Sequence, residues 1–367
     1  FAPISQAAYI QEITNINVTP RFADWRVIGA RVLLAGEVVA LEDGRVQINT
    51  RLWDVIGNQQ VASVAYKTPR ENWRRAAHKV ADFVYAQLTG EEGYFDSRIV
   101  YISETGPKTK RVKRLAIMDQ DGHNPTILTR GLPYNVLTPR FSPDEQTITY
   151  LALFDNRPAK VYIFDIETGR QREVGEYAGM TFAPRFTPGG DRLLVSFAIR
   201  GNSDVAYLSP DSGRLQRLTT NPGIDVSPSM SPDGRFITFA SDRGGSQQIY
   251  VMNADGSNQR RITFGDGTYG TPVWSPRGDL IAFTRQHKNR FYIGVCAPDG
   301  SGERLLTDSY LVEGPTWSPN GRVLAFHREQ YPGGPVKLYA VDLTGQNLRQ
   351  LPTPTEASDP AWSPRLN

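Results

Sequence analysis

The sequence predicts a mainly β protein in which a ring of repeated four-stranded units follows a small α/β domain. The first supporting observation is a motif, Pro-x-apolar-Ser/Thr-Pro, that occurs six times at steps of 45, 44, 44, 43 and 45 residues, with its hydroxyl at Ser142, Thr187, Ser231, Ser275, Ser318 and Ser363. The second is that four short strand-like runs fit into each step. The third is that residues 1–90 lack the motif. So regular a period is typical of a repeat architecture.

Residues 1–90 are interpreted as the α/β domain, and most of it reads as a meander of strands. Ser5 to Pro20 shows no clean period and is expected to be mainly loop, and Asp24–Ile28 predicts a short helix that ends at Gly29. Three strand-like runs follow, with Asp-Gly and Gly-Asn between them, at Arg31–Leu41, Arg45–Val55 and Gln60–Lys67. These dipeptides favour tight hairpins, so the three runs are predicted to form an antiparallel sheet.

A helix is predicted to follow this sheet. Thr68 is placed as its N-cap, Pro69 at its first helical position and Glu71 as the acid of a capping box. Apolar residues recur at spacings of three and four up to the terminating Gly90, and they are Trp73, Ala76, Ala77, Val80, Val84 and Leu88. This pattern predicts one apolar stripe that packs on the sheet.

Each repeat reads as strand and turn throughout. The motif ends an inner strand, because Pro fixes φ where the turn begins and the Gly that usually follows supplies the positive φ that ends it. An apolar second strand such as Phe236–Phe239 comes next, then a polar loop, a third strand such as Ile249–Met252, an Asp/Gly turn and a short fourth strand. Four short strands in about 44 residues are typical of one blade of a β-propeller.

The two ends of the repeat region predict how the ring closes. The last copy supplies an inner strand over 357–364 with no strand after it, whereas 98–129 supplies a second, third and fourth strand with no inner strand before them. Joined, these halves complete one blade and remove an open sheet edge. We therefore predict an N-terminal α/β domain over 1–95, truncated at its start, and a six-bladed β-propeller over 96–367.

The loops of this ring fall onto two different faces. The Ser-Pro-x-Gly turns and the Asp/Gly turns share one face and repeat one turn chemistry. The other face carries the loops between second and third strands and between blades, which differ in length and sequence, as in Phe154–Lys160, Ala198–Ser203, Thr284–Arg290 and His327–Val336. Because loops diversify where they bind other molecules, the varied face is predicted to be the working surface.

The candidate binding residues stand just before each motif and are expected to converge on the axial mouth of that face. They mix apolar, aromatic and small polar side chains, which is the composition of a protein-docking surface. They are Leu137, Thr138, Met180, Thr181, Phe182, Ala183, Asp225, Val226, Ser227, Tyr269, Gly270, Thr271, Glu313, Gly314, Ser358 and Asp359. The alternative interpretation is that the apolar members only pack between neighbouring blades.

A basic rim is expected around this mouth. The loops from second to third strands carry Lys108, Lys110, Arg111, Lys113, Arg114, Arg157, Lys160, Arg200, Arg243, Arg285, Lys288, Arg290 and Arg328. Such a rim could steer an acidic partner, or it could be ordinary solvated loop charge. The overall net charge of +3 is too small to argue for nucleic-acid binding by itself.

No catalytic constellation is found in the sequence. It lacks a Gly-x-Ser-x-Gly elbow, a His-Glu-x-x-His pair, a phosphate-binding glycine loop and a Cys-x-x-Cys pair. Its four histidines are dispersed, its single Cys296 sits in an apolar run, and Asp255-Gly256 lacks the further acids of a calcium loop. We predict a protein that is not an enzyme and has no cofactor, no metal and, because no apolar run reaches 18 residues, no membrane span.

The order of parts resembles the TolB family of the bacterial Tol–Pal cell-envelope system. The resemblance covers the whole chain and rests on the small α/β domain ending in Leu88-Thr89-Gly90, the Arg98-Ile99-Val100-Tyr101 entry, the six motif copies and the terminal Trp362-Ser363-Pro364. It implies a periplasmic, non-enzymatic scaffold that supports outer-membrane integrity and cell division. The alternatives are the propeller of a peptidase or hydrolase, and a propeller that binds a small ligand or glycan in its axial channel.

The resemblance also implies partners. Family members bind the lipoprotein Pal at the propeller mouth, and by motif position these contacts carry over to Met180 through Ala183 and to Val226-Ser227. Some bacteriocins exploit the same surface. TolA binds an N-terminal segment that, by this resemblance, precedes Phe1 and is absent from the chain.

Overall fold

The computed structural model of the protein describes residues 3–174, 180–199 and 201–366, without the side chains of 180, 181 and 199. Two compact units are present, Phe1–Asp96 and Ser97–Asn367. The first unit contains a short helix, α1 (Phe22–Val27), three strands, β1 (Val32–Ala40), β2 (Arg45–Asp54) and β3 (Gln59–Pro69), and a longer helix, α2 (Trp73–Thr89). The strands form an antiparallel meander in the order β1-β2-β3.

The start of α2 differs from the sequence prediction. Thr68 and Pro69 belong to β3, where Pro69 pairs with Arg45, and a 3-10 turn over Arg70–Asn72 precedes the helix. The N-cap of α2 is Asn72, whose side chain makes no capping hydrogen bond. The predicted capping box is therefore wrong, because Thr68 is a paired residue of β3 and does not cap the helix. The end of the helix is as predicted, since Gly90 adopts φ 72° and its N–H donates to Ala86.

The second unit consists of six four-stranded antiparallel sheets. Their inner strands are β7 (Asn135–Phe141), β11 (Met180–Phe186), β15 (Asp225–Met230), β19 (Thr268–Trp274), β23 (Leu311–Trp317) and β27 (Glu356–Trp362). The second strands are β8 (Thr147–Leu153), β12 (Leu193–Ile199), β16 (Phe236–Ser241), β20 (Ile281–His287), β24 (Val323–Glu329) and β4 (Arg98–Thr105). The third strands are β9 (Lys160–Asp165), β13 (Asn202–Leu208), β17 (Gln248–Asn253), β21 (Arg290–Cys296), β25 (Lys337–Asp342) and β5 (Val112–Asp119). The fourth strands are β10 (Gln171–Glu173), β14 (Leu215–Arg217), β18 (Arg260–Arg261), β22 (Arg304–Ser309), β26 (Arg349–Leu351) and β6 (Thr126–Ile127).

The ring closes through the last strand. β27 pairs antiparallel with β4, with Ala361 opposite Val100 and Trp362 opposite Ile99. Each inner strand contacts the next one along the chain, and β27 contacts β7. Six blades therefore surround one axis, and the predicted fold class, a mainly β six-bladed propeller after a small α/β domain, is confirmed.

Two repeated hydroxyls explain the sequence signature of a blade. In the Ser-Pro-Asp-Gly turn, Ser231 Oγ donates to Asp233 at 2.6 Å and accepts the Phe236 N–H at 2.9 Å, so the buried serine ties the turn to the second strand. At the end of the fourth strand, Thr263 Oγ1 accepts the Ile249 N–H at 2.9 Å. Thr129 and Thr219 do the same in their own blades. These bonds satisfy backbone donors at strand ends that would otherwise be unpaired.

Two glycines in one blade give a test of its packing. A Cβ added to Gly294, on β21, would lie 2.6 Å from ring atoms of the fully buried Phe283, whereas one added to Gly270, on β19, would meet only the end of Gln247 at 3.2 Å. We expect Gly294→Ala to lower the free energy of unfolding by about 1–3 kcal/mol through overpacking. Gly270→Ala, the matched control, should change it by less than about 0.5 kcal/mol. Urea unfolding checks both, and equal effects would contradict this packing.

Candidate docking site

The axial mouth is built from six inner strands that all carry the same bulge. On β7, Leu137 pairs with Leu151 and Arg140 with Thr149, so two residues, 138 and 139, face one on the partner strand. The same shift recurs on the other five inner strands. The motif proline has no N–H to give to the ladder, and the bulge removes it from pairing.

The residue before each of these prolines is forced into the left-handed region. The φ values are 47° at Thr138, 47° at Ala183, 56° at Ser227, 45° at Thr271, 65° at Gly314 and 47° at Asp359. Such values are uncommon for residues other than glycine and costly for β-branched threonine. Backbone strain is thus repeated around the mouth, and it is held by the surrounding ring.

Hydrogen bonds between blades hold part of this strained backbone. Ser227 N–H donates to Ser196 Oγ of the preceding blade at 2.9 Å. Asp359 N–H donates to His327 Nδ1 at 3.4 Å, and Thr138 N–H to Asp359 Oδ2 at 3.4 Å. The mouth is therefore a pre-formed surface whose position depends on the closed ring.

Most of the sequence-predicted site residues line this mouth with half-buried side chains or backbone. These are Leu137, Thr138, Phe182, Ala183, Val226, Ser227, Gly270, Thr271, Glu313, Gly314 and Asp359. The side chains of Met180 and Thr181 lie outside the described residues. The ring geometry thus brings together residues that are up to 222 positions apart, from 137 to 359, on six separate strands.

Three predicted site residues have buried side chains with structural partners. Asp225 is fully buried and pairs with Arg243 at 2.8 Å. Tyr269 is also fully buried, and its hydroxyl donates to Glu303 at 2.8 Å. Ser358 Oγ donates to Glu104 at 2.5 Å. Because these side chains are buried, a docked partner cannot reach them. Neighbouring residues of a strand face opposite sides of the sheet, and the sequence motif does not show which of them faces the mouth.

Much of the predicted basic rim is neutralised within the propeller. Salt bridges join Lys108 to Glu329, Arg111 to Glu356, Lys113 to Glu104, Arg157 to Glu173, Arg243 to Asp225, Arg285 to Glu303 and Arg290 to Asp308. Arg114 instead donates to the carbonyls of Leu132, Lys113 and Tyr134. Arg200 lies outside the described residues. These pairs favour the interpretation that the basic residues are ordinary loop charge over the interpretation that they form a continuous field that steers an acidic partner.

Sequence reasoning missed two arginines that stand two residues after the bulge positions. Arg140 and Arg185 occupy adjacent inner strands, and burial lowers the pKa of both guanidinium groups. The corresponding residues of the other blades are Ser229, Val273, Thr316 and Ala361. The signal was available in the sequence, because only two consecutive copies of the motif begin Pro-Arg.

An acidic pair faces the mouth from β23 and β27, of which β27 is the neighbour of β7 in the ring. Glu313 and Asp359 lie on β23 and β27, and His327 Nε2 is 4.0 Å from Glu313 Oε2. Burial raises the pKa of Glu313, His327 opposes this and the charge of Asp359 adds to it. The six inner strands therefore divide into a basic side on β7 and β11 and an acidic side on β23 and β27.

Catalytic and metal chemistry find little support in the described part of the chain. Within 3–174, 180–199 and 201–366 no group of three His, Cys, Asp or Glu residues could hold a metal ion. Burial raises the pKa of the Cys296 thiol to about 12, so it is a thiol at neutral pH. None of the described helices has the length and apolar character needed to cross a membrane.

A second concave surface lies within the N-terminal unit. It is a groove of about 710 Å³ between the sheet and α2, and its lining includes Leu34, Val38, Trp73, Val84, Tyr85 and Phe95. The predicted stripe of α2 is only partly covered, since Ala76 and Val80 are buried while Trp73 is 53% exposed. The helix covers less of the sheet than its apolar pattern predicts.

Comparison with known proteins gives one consistent result for both units. The model of the TolB beta propeller domain matches residues 85–366, and that of the TolB amino-terminal domain matches residues 1–61. The crystal structure of TolB from Acinetobacter baumannii is 28% identical, with 94% of this chain and 86% of that chain covered and a TM-score of 0.86.

Two more distant structures share the fold. A putative TolB from Agrobacterium tumefaciens is 22% identical, with 73% of this chain and 92% of that chain covered and a TM-score of 0.58. The hydrazine synthase of Kuenenia stuttgartiensis is 14% identical, with 77% of this chain and 49% of that chain covered and a TM-score of 0.58. Because the propeller model alone spans well over half of the sequence, the chain belongs to the TolB family of Tol–Pal-related propeller proteins.

Proposed function

We propose that this chain is a non-enzymatic, periplasmic interaction scaffold of the Tol–Pal system, which docks the lipoprotein Pal at its propeller mouth. Membership of the TolB family supports this role, since proteins of the family are periplasmic. The observation that carries the proposal is the mouth itself. It joins half-buried apolar and small polar residues from six strands on the face opposite the uniform turns. Supporting outer-membrane integrity and cell division, and a link to TolA through an N-terminal segment, belong to the same proposal.

The physical properties of the mouth suit recognition of a folded protein. Its backbone is fixed by bulges and by the blade-to-blade bond from Ser227 to Ser196. A pre-formed site loses little conformational entropy on binding, which leaves more of the contact free energy for affinity. Phe182 and Val226 supply apolar area beside the small Ala183 and Ser227, which is the mixture found at the centre of protein interfaces.

The proposal is tested by placing a charge on the apolar part of the mouth. We expect Phe182→Asp and Val226→Asp each to weaken capture of the purified soluble domain of Pal at least tenfold, because an unpaired carboxylate must be desolvated in the interface. Biolayer interferometry with immobilised Pal measures this. Tyr269 is unsuitable as a test position, since its buried side chain holds the blade.

The control is Leu348→Asp, a similar change of charge at a residue that is 40% exposed near the Asp/Gly turns of the other face. Its affinity for Pal should match that of the unmodified chain. Circular dichroism and the unfolding midpoint establish that each variant is folded. Pal capture that is unchanged in both mouth variants, or lost in Leu348→Asp, would overturn the site.

A further inference from the structure

Arg140 and Arg185 place two positive charges side by side inside the ring. They follow the bulges of β7 and β11, two inner strands that contact each other. Arg140 Nη1 donates to the carbonyl of its neighbour Pro139 at 2.5 Å. Across the described residues, Arg185 has neither a hydrogen bond nor an ion pair. Both residues are half-buried.

The surroundings do not compensate these charges fully. Burial lowers the pKa of Arg185 strongly and the charge of Arg140 lowers it further. Among the described residues, the carboxylate that acts on the pair is Asp359, whose charge favours ionised Arg140 and has no comparable effect on Arg185. Two guanidinium groups with one nearby carboxylate leave an excess of about one positive charge in a partly dehydrated place. Such a charge is costly unless a counter-charge arrives.

We propose that Arg140 and Arg185 form a carboxylate-binding site in the axial channel. A guanidinium presents a planar fork of donors that matches a carboxylate with two parallel hydrogen bonds. With Asp359 counted, the excess of about one positive charge favours a monoanion over a dianion such as phosphate. The carboxylate can come from a free acid or from an acidic side chain of the docked protein. The second source rests on the proposed function, whereas the site itself does not.

The test uses a single carboxylate on a peptide-like carrier. Saturation-transfer NMR with N-acetylglutamate α-amide, in a buffer of low ionic strength without phosphate or carboxylate, is expected to detect binding to the full chain. Its neutral analogue, N-acetylglutamine α-amide, should bind at least tenfold more weakly, and so should phosphate. Arg185→Gln and Arg140→Gln should each weaken binding of the acid at least tenfold. Arg235→Gln, in an exposed turn and paired with Asp233, is the matched control and should bind normally.

A second readout needs no ligand. Removing one of two repelling charges should stabilise the free protein, so Arg185→Gln is expected to raise Tm by roughly 1–3 °C while binding falls. Arg235→Gln should leave Tm unchanged. No binding of the acid by the unmodified chain, or equal binding by both Gln variants, would overturn the proposal. A fall in Tm for Arg185→Gln would contradict the excess charge on which it stands.

Competition with Pal identifies the source of the carboxylate. If an acidic side chain of Pal enters the site, saturating N-acetylglutamate α-amide should weaken Pal capture, and Arg185→Gln should do so as well. If Pal capture is unaffected while the small acid still binds, the site serves a free acid. Loss of Pal capture in Phe182→Asp with normal binding of the small acid would separate the mouth from the carboxylate site.

Discussion

Trp362→Ala is expected to lower the free energy of unfolding of the propeller by about 3–5 kcal/mol, in the range measured for removal of buried aromatic side chains. Trp362 lies on the closing strand β27 and is 7% exposed. Its indole N–H donates to Ser97 Oγ at 2.8 Å, and its backbone N–H donates to Thr316 Oγ1 of the preceding blade at 3.0 Å. The substitution leaves a cavity in place of the indole and removes its hydrogen bond to Ser97.

Trp73→Ala is the matched control, because Trp73 is 53% exposed on α2. Its effect should stay below about 1 kcal/mol. Urea unfolding followed by far-ultraviolet circular dichroism reports the global transition, and hydrogen exchange assigns the loss to β4 and β27. Similar effects for the two tryptophans would show that Trp362 does not hold the ring.

Asp225→Ala is the second change with a large expected effect, about 3–5 kcal/mol, because it leaves a buried cation without its carboxylate. Asp225 is fully buried, and Arg243 Nη2 lies 2.8 Å from it with only 14% of its side chain exposed. Arg243 also donates to Ser241 Oγ at 2.9 Å and stacks over Phe239 and Tyr250 at 5.3 and 5.0 Å. These contacts keep the guanidinium in place after the aspartate is removed.

Comparison with an exposed pair isolates the role of burial. Asp211→Ala removes the partner of Arg172, in a pair whose side chains are 87% and 51% exposed, and should cost less than about 1 kcal/mol. The double variant Asp225→Ala with Arg243→Met should recover part of the lost free energy of unfolding, because it removes the buried arginine charge that Asp225→Ala leaves without its carboxylate. Thermal unfolding checks all three variants. A double variant less stable than Asp225→Ala would contradict this explanation.

The blade count and the closure were predictable because they depend on local turn chemistry. The hydroxyl of each motif copy ties its own turn, as in Ser231 with Asp233 and Phe236, so its spacing counts the blades directly. The closure was predictable because 98–129 lacks an inner strand and the last motif copy supplies one. The domain bounds, 1–95 and 96–367, stay a prediction, and separate expression of the two parts would test them.

The features that sequence reasoning missed depend on residues far apart in the chain. The sequence predicts Arg111 as part of a basic rim, but its partner Glu356 lies 245 positions away. Asp225 was grouped with Val226 although only Val226 is accessible at the mouth, since alternate residues of a strand face different neighbours. The pairing of Arg140 with Arg185 required two strands to be placed side by side. Strand pairing also overrode the local helix-start signal at Thr68.

Closure by β27 has a consequence for how the protein is made. The closing strand is the last of the described strands to be synthesised, while its partner β4 is the first of the propeller. Until Glu356–Trp362 has docked, β4 exposes a row of unpaired amides and carbonyls that can capture strands of other unfolded chains. A chain shortened before Glu356 therefore leaves an aggregation-prone intermediate, and holdase chaperones should bind that shortened chain longer than the full one during refolding.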